Sequence, residues 1–207
     1  LFLSKGATVL LRDKRTRSQI GEEECKTMED MGVILKLGEN YLEGLCEDSD
    51  IVLRTPGVYY YLPELQAAIK AGLSVTSEME LFFQFCPCKT YGITGSDGKT
   101  TTTSIIAELL RAEGKTVYLG GNIGNPLFQM LDDINEEDVA VIELSNFQLL
   151  SMRSSPDVAV VTNVAPNHLD VHKSMEEYVD SKRNIVLHQN GFSRTVLNID
   201  NEITMSF

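Results

Sequence analysis

The segment Gly92-Ile93-Thr94-Gly95-Ser96-Asp97-Gly98-Lys99-Thr100-Thr101 joins an apolar run to a helical pattern. Glycines at 92, 95 and 98 let the backbone turn so that its N–H groups face an anion. Lys99 adds a mobile cation for β- and γ-phosphates, and the Thr100 hydroxyl is a ligand of the kind Mg²⁺ takes in such loops. A helix starting near Thr100 adds its positive N-terminal end. The strict phosphate-loop pattern G-x-x-x-x-G-K-[ST] needs glycine at Ile93, but the spacing here is G-x-x-G-x-x-G-K-T.

Working outward, the same strand–helix alternation runs through the chain. Residues 7–11, 33–37, 50–53 and 73–76 read as strands, and 22–31, 63–71 and 78–85 as helices. Pro63 suits a first helical turn, Gly72 a stop and Ser77 a cap. After Cys86-Pro87-Cys88, a strand at 89–94 feeds the phosphate loop and a helix at 100–112. Strands at 115–119, 139–144 and 157–162 follow, then a helix at 175–187 and a strand at 194–198. The runs at 139–144 and 157–162 are rich in Val, Ile and Ala, as central parallel strands buried on both faces should be. The alternation predicts α/β architecture with parallel sheets and crossover helices, in two domains, 1–88 and 89–207.

The chain has 207 residues, 43% hydrophobic and 23% charged, enough for one large or two small domains with a buried core. Its net charge of −12 leaves no basic stripe for nucleic acid. Cys25, Cys46, Cys86 and Cys88 read as reduced thiols, because C-x-C without a second pair is a poor zinc pattern. No apolar run has the length of a membrane span.

Four further groups fall near ends of expected strands, where ligands collect in open α/β sheets. Gly120-Gly121-Asn122-Ile123-Gly124 allows close approach of a ligand, with Asn122 as donor and acceptor. Glu143 ends an apolar strand, well placed for Mg²⁺, and Ser145-Asn146-Phe147-Gln148 follows it. His168-Leu169-Asp170 follows another buried strand. His172 lies four residues beyond His168 but without the H-E-x-x-H pattern of a zinc site. Tyr178 and Lys182 are one turn apart on the expected helix at 175–187.

Taken in order, these groups resemble the Mur ligase family, ATP-dependent amide-forming enzymes of peptidoglycan precursor synthesis, whose nucleotide loop has the G-x-x-G-x-x-G-K-[ST] spacing. Glu143-Leu144-Ser145-Asn146-Phe147-Gln148-Leu149 is similar to the E-L-S-S-F-Q-L segment of the branch that adds D-glutamate, with Asn146 in place of the second serine. Upstream, residues 6–15 resemble the second strand of the family's Rossmann-like UDP-binding domain, and Thr55-Pro56-Gly57 its S-P-G turn. The resemblance implies a front UDP-binding domain and an incomplete ATP-binding central domain of phosphate-loop type. It implies a first strand and glycine-rich loop before Leu1 and a C-terminal domain after Phe207, so the chain is expected to be a fragment without turnover of its own.

The activity implied is ligation of D-glutamate to UDP-N-acetylmuramoyl-L-alanine through an acyl phosphate, with ATP and Mg²⁺, by a cytoplasmic bacterial monomer. Gly95, Ser96, Asp97, Gly98, Lys99, Thr100 and Thr101 would hold nucleotide phosphates. Thr100 and Glu143 would bind one Mg²⁺, and His168 a second with Lys182 as its carbamate. Asn122 and Ser145 would meet the muramoyl substrate. Asp13, Lys14, Arg15, Thr55, Pro56 and Gly57 would meet the UDP-linked substrate. Another amide ligase of the superfamily, such as folylpolyglutamate synthase, and a non-catalytic nucleotide-binding fragment are the alternatives.

Overall fold

The computed structural model describes residues 1–165 and 174–207. They form two compact units, one of Leu1–Val52 with Tyr61–Val75 and one of Leu53–Tyr60 with Thr76–Phe207.

In the first unit, β1 (Leu10–Asp13) pairs in parallel with β2 (Ile34–Leu37), with Leu10 opposite Ile34 and Asp13 opposite Leu37. The crossover carries α1 (Arg17–Ile20) and α2 (Glu22–Asp30), and α2 buries Cys25 completely. Thr16 and Gln19 form a reciprocal capping box at the start of α1. α3 (Leu45–Asp48) is tied to β1 through Arg12, which donates to the carbonyls of Tyr41 (2.6 Å) and Glu43 (2.8 Å) and to the Asp48 carboxylate. Lys36 reaches the same carboxylate. Lys36 first, then Ser49 and Arg12, hold the Asp48 carboxyl down to about 2. β3 (Ile51–Leu53), α4 (Pro63–Lys70) and β4 (Ser74–Thr76) follow, with Pro63 in the first turn of α4 and Leu65 and Ala68 buried beneath it. β3 pairs with β4, so the front strands form two separate two-stranded ladders among the described residues.

The second unit opens with α5 (Glu78–Phe85), whose cap Ser77 accepts from the Glu80 N–H at 3.1 Å. Then come β5 (Lys89–Thr94), α6 (Lys99–Ala112), β6 (Val117–Gly121), a 3₁₀ segment (Leu127–Asp133), β7 (Val139–Glu143) and α7 (Asn146–Leu149). β8 (Val158–Val161), α8 (Met175–Leu187), β9 (Arg194–Leu197) and α9 (Glu202–Met205) complete it. The five strands are all parallel in the order β6-β7-β5-β8-β9. Both sheet faces are covered. Ala140, Ile142, Ala159 and Val161 pack with α5, the 3₁₀ segment and α8, while Ile93 and Val141 pack against Ala107 of α6. Full burial of each Val or Ile contributes about 1.5–3 kcal/mol, so the run of apolar residues in β7 specifies its central place.

The expected division at residues 86–88 differs from this. The second unit takes in α5, because Met79 and Phe82 are buried in the same core as Leu127, Phe128 and Leu149. It also takes in Thr55-Pro56-Gly57. The reason is Arg54, which is 4% exposed. Its guanidinium donates to the carbonyls of Thr55 (3.1 Å), Val58 (2.6 Å) and Phe147 (3.0 Å) and to Ser151 Oγ (2.9 Å). Burial lowers its pKa, an opposing cost that these bonds offset.

Candidate nucleotide-phosphate site

The β5–α6 loop emerges at the carboxyl edge of the sheet between β7 and β8. In the sequence the chain passes from β5 out to β6 and back to β7, so the strand order reverses beside β5, and the crevice lies at that reversal. Gly95 is required by packing. A Cβ there would lie 1.9 Å from Thr162 Oγ1 and 3.1 Å from the Asn163 carbonyl oxygen.

The loop is pinned from the β8 side. Ser96 N–H donates to the Asn163 carbonyl (2.9 Å) and Asp97 N–H to Asn163 Oδ1 (3.0 Å). Thr162 Oγ1 donates to the Asp97 carbonyl at 2.6 Å. The Ser96 hydroxyl points inward, accepting from the Ala165 N–H at 2.9 Å and lying 2.9 Å from the Tyr178 hydroxyl. Ser96 and Asp97 therefore build the loop, and their amides are engaged within it. This narrows the expected phosphate cradle. The first backbone bond of α6 runs from Thr102 N–H to the Gly98 carbonyl. The amides of Lys99, Thr100 and Thr101 precede it and lie outside the helical ladder, at the positive end of the helix.

Register carries Glu143 to the loop. It stands opposite Ile93 of β5 and Gly121 of β6 on the last rung of β7. Its carboxylate is 1% exposed. Oε2 accepts from the Thr100 hydroxyl at 2.7 Å and Oε1 from Asn122 Nδ2 at 2.8 Å. Asn122 N–H also donates to the Glu143 carbonyl at 2.8 Å. Gly121, at φ +97°, allows this approach, since a Cβ would lie 2.2 Å from that carbonyl oxygen.

Two lysines converge on one carbonyl. Lys99 Nζ donates to Gly95 O (2.9 Å) and Ser96 O (2.9 Å), and Lys182 Nζ donates to Gly95 O (2.9 Å). Lys182 is 1% exposed and lies 4.8 Å from the centre of the Tyr178 ring. Burial, reinforced by the Lys99 charge, lowers its pKa from 10.5 to about 7.

Among the described residues no three His, Cys, Asp or Glu side chains converge as a metal cluster. The donors that fit Mg²⁺ are the Thr100 hydroxyl and the Glu143 carboxylate, two hard oxygens 2.7 Å apart. Adjacent ligands of an octahedral Mg²⁺ with bonds of about 2.1 Å lie roughly 3 Å apart, so the pair can serve as neighbouring ligands.

The expected site residues thus divide. Gly95, Gly98, Lys99, Thr100, Thr101, Asn122, Glu143 and Lys182 lie around the loop. Ser145 follows Glu143, but its hydroxyl caps α7, donating to Gln148 Oε1 at 2.9 Å and accepting the Gln148 N–H at 3.3 Å. Asp13, Lys14 and Arg15 lie in the first unit, where Asp13 accepts from the Arg15 backbone (2.8 Å) and guanidinium (2.7 Å). That contact lowers the Asp13 pKa. Thr55, Pro56 and Gly57 lie in the second unit, on Arg54. His168 and Asp170 lie outside the described residues. Asn163, Thr162 and Tyr178 also shape the loop, a role that no motif in the sequence marks. A polar pair directly after a buried strand was the available signal for the first two.

Comparison with known proteins bears on this geometry. A family model described as the Mur ligase middle domain matches residues 93–207. The chain belongs to the Mur ligase family. Among curated Mur ligases, the UDP-N-acetylmuramoylalanine–D-glutamate ligase of Acetivibrio thermocellus is 50% identical over 202 residues, covering 98% of this chain and 43% of that protein. The ligase of the same name from Clostridium acetobutylicum is 47% identical over 204 residues, covering 98% of this chain and 44% of its own length. The chain therefore spans less than half the length of these relatives. Two solved Mur ligase structures share the fold. The UDP-N-acetylmuramate:L-alanyl-gamma-D-glutamyl-meso-diaminopimelate ligase of Neisseria meningitides has a TM-score of 0.58 at 17% identity, over all of this chain and 68% of that one. The MurF ligase of Thermotoga maritima, in complex with ADP, has a TM-score of 0.51 at 22% identity, over 97% of this chain and 45% of that one.

Proposed function

We propose that this chain supplies the front and central parts of an ADP-forming ligase that joins D-glutamate to UDP-N-acetylmuramoyl-L-alanine. The observation that carries the reading is the junction of the phosphate loop with Glu143 through Thr100, beside two lysines on one carbonyl. The identity to D-glutamate ligases across nearly the whole chain supports the choice of substrates.

A carboxylate is a poor electrophile, so the muramoyl-alanine carboxylate is first converted to an acyl phosphate. The D-glutamate amine attacks its carbonyl carbon, and phosphate leaves from the tetrahedral intermediate. Charges of one sign must be gathered, and this chain's contribution is to hold and neutralise them. Lys99 moves from Gly95 O and Ser96 O to phosphate oxygens, while the amides of Lys99, Thr100 and Thr101 donate to the same group. Thr100 and Glu143 would hold Mg²⁺, whose charge would neutralise that of the phosphates. Asn122 orients Glu143 and faces the muramoyl group, and Ser145 acts by fixing α7 after it. Asp13, Lys14, Arg15 and Thr55-Pro56-Gly57 serve the UDP-linked substrate, in the front domain and the segment after β3.

Lys182 is read as a carbamate. Its buried amine, with a pKa near 7, is substantially neutral at physiological pH and can add to CO₂ with loss of one proton. The product is an anion suited to a second Mg²⁺ together with His168. A cytoplasmic, monomeric enzyme goes with this reading, and the 207 residues alone are expected not to turn over.

The test is a chimera in which this chain replaces the matching residues of the Acetivibrio thermocellus ligase. Phosphate release that requires ATP, UDP-N-acetylmuramoyl-L-alanine and D-glutamate together is the expected result. A folded chimera that binds neither Mg-ATP nor the UDP-linked substrate would overturn the assignment.

A further inference from the structure

Cys86 and Cys88 take no part in the site above. They lie in the short connection between α5 and β5. Pro87 disfavours helical geometry at the residue before it, and Cys86 is extended, at φ −65° and ψ +119°. Residues two apart in an extended segment project to the same side. The two sulfurs accordingly sit 3.5 Å apart. Two residues of extended chain span about 6.6 Å, within the Cα separation of up to about 6.8 Å that a disulfide tolerates.

Access is unequal. Cys88 is 5% exposed, whereas Cys86 is partly open, and both line a surface cavity of about 380 Å³ beside Lys89 and Asp157. The hydrogen bond shared by the two thiols lowers the Cys86 pKa, and together with burial it raises that of Cys88. This is the division between an outer nucleophilic thiol and an inner resolving one.

We propose that Cys86 and Cys88 form a redox-active dithiol, oxidised to an intrachain disulfide by low-molecular-weight disulfides of the glutathione class. The Cys86 thiolate attacks one sulfur of R–S–S–R. That S–S bond breaks, R–S⁻ leaves, and a Cys86–S–S–R mixed disulfide forms. Cys88 gives its proton to the departing thiolate, and its sulfur attacks Cys86 Sγ, expelling the second R–S⁻, which takes a proton from water. The dithiol is oxidised by an electron pair, and R–S–S–R is reduced to a pair of R–SH.

The test equilibrates the 207-residue chain with reduced and oxidised glutathione in varied ratio. It is then quenched with acid, denatured, alkylated with N-ethylmaleimide and digested for mass spectrometry. As oxidised glutathione rises, the peptide carrying Cys86 and Cys88 should lose a hydrogen pair and become refractory to alkylation, while the buried Cys25 stays alkylated. Cys88→Ser should accumulate a glutathione adduct on Cys86 that the unmodified chain does not retain. Alkylation of both thiols at every ratio would overturn the proposal, as would a lasting Cys86 adduct in the unmodified chain. The measurement on the unmodified chain does not depend on any variant folding.

Discussion

Lys182 gives the sharpest quantitative consequence of the site. Its amine is buried beside Lys99, with a pKa lowered from 10.5 to about 7. Between those values the unfolded chain holds the proton and the folded chain does not, so stability rises with pH. Below about 7 both states hold it, and the cost of burying the charge is present in full. At about 1.4 kcal/mol per pH unit, the fall from 10.5 to about 7 corresponds to roughly 5 kcal/mol. The perturbation is Lys182→Met, which keeps the stem and removes the titration. Urea unfolding followed by circular dichroism, in CO₂-free buffers from pH 6 to pH 9, reads the difference between the two proteins. Above about pH 7 the original chain should gain on the variant by about 1.4 kcal/mol per pH unit, with little change below that point. A difference that stays flat between pH 7 and pH 9 would refute the burial of this amine beside Lys99.

Three other perturbations follow from the same geometry. Lys99→Ala in the chimeric ligase should weaken Mg-nucleotide binding by roughly 1.5–3 kcal/mol, the worth of charge-assisted contacts, as read by calorimetry. Glu143→Gln keeps the side-chain volume but removes the anion. In the same titrations it should abolish the gain in nucleotide affinity that Mg²⁺ gives, leaving the affinity measured in EDTA in place. Gly95→Ala forces a Cβ to within 1.9 Å of Thr162 Oγ1. It should cost about 1–3 kcal/mol and lower the melting temperature by roughly 2–4 °C per kcal/mol.

The parts of this structure legible in the sequence are those fixed by local pattern. β5 falls at Lys89–Thr94 and α8 at Met175–Leu187, as expected, because apolar periodicity and caps mark both. Lys99, Thr100 and Glu143 were legible because loop spacing and a strand-end carboxylate carry their own chemistry. What was not legible depends on partners distant in sequence. Ser96 reads as a phosphate ligand until Tyr178 and Ala165 turn its hydroxyl inward. Ser145 reads as a substrate contact until its capping box with Gln148 is seen. Thr55-Pro56-Gly57 reads as part of the front domain, and only the buried Arg54 shows that it groups with the central one. The short helix α7 and the 3₁₀ segment escape periodicity because neither completes enough turns to display it.

The loop at 95–101 and Glu143 are proposed to form a nucleotide-phosphate site. Amide chemical shifts of the ¹⁵N-labelled chain, titrated with Mg-ADP, test it most directly, since they register weak binding residue by residue. Perturbations should centre on Gly95 to Thr101, Asn122 and Glu143, and Lys99→Ala should remove them. Perturbations confined to other residues, or unchanged by Lys99→Ala, would contradict that assignment.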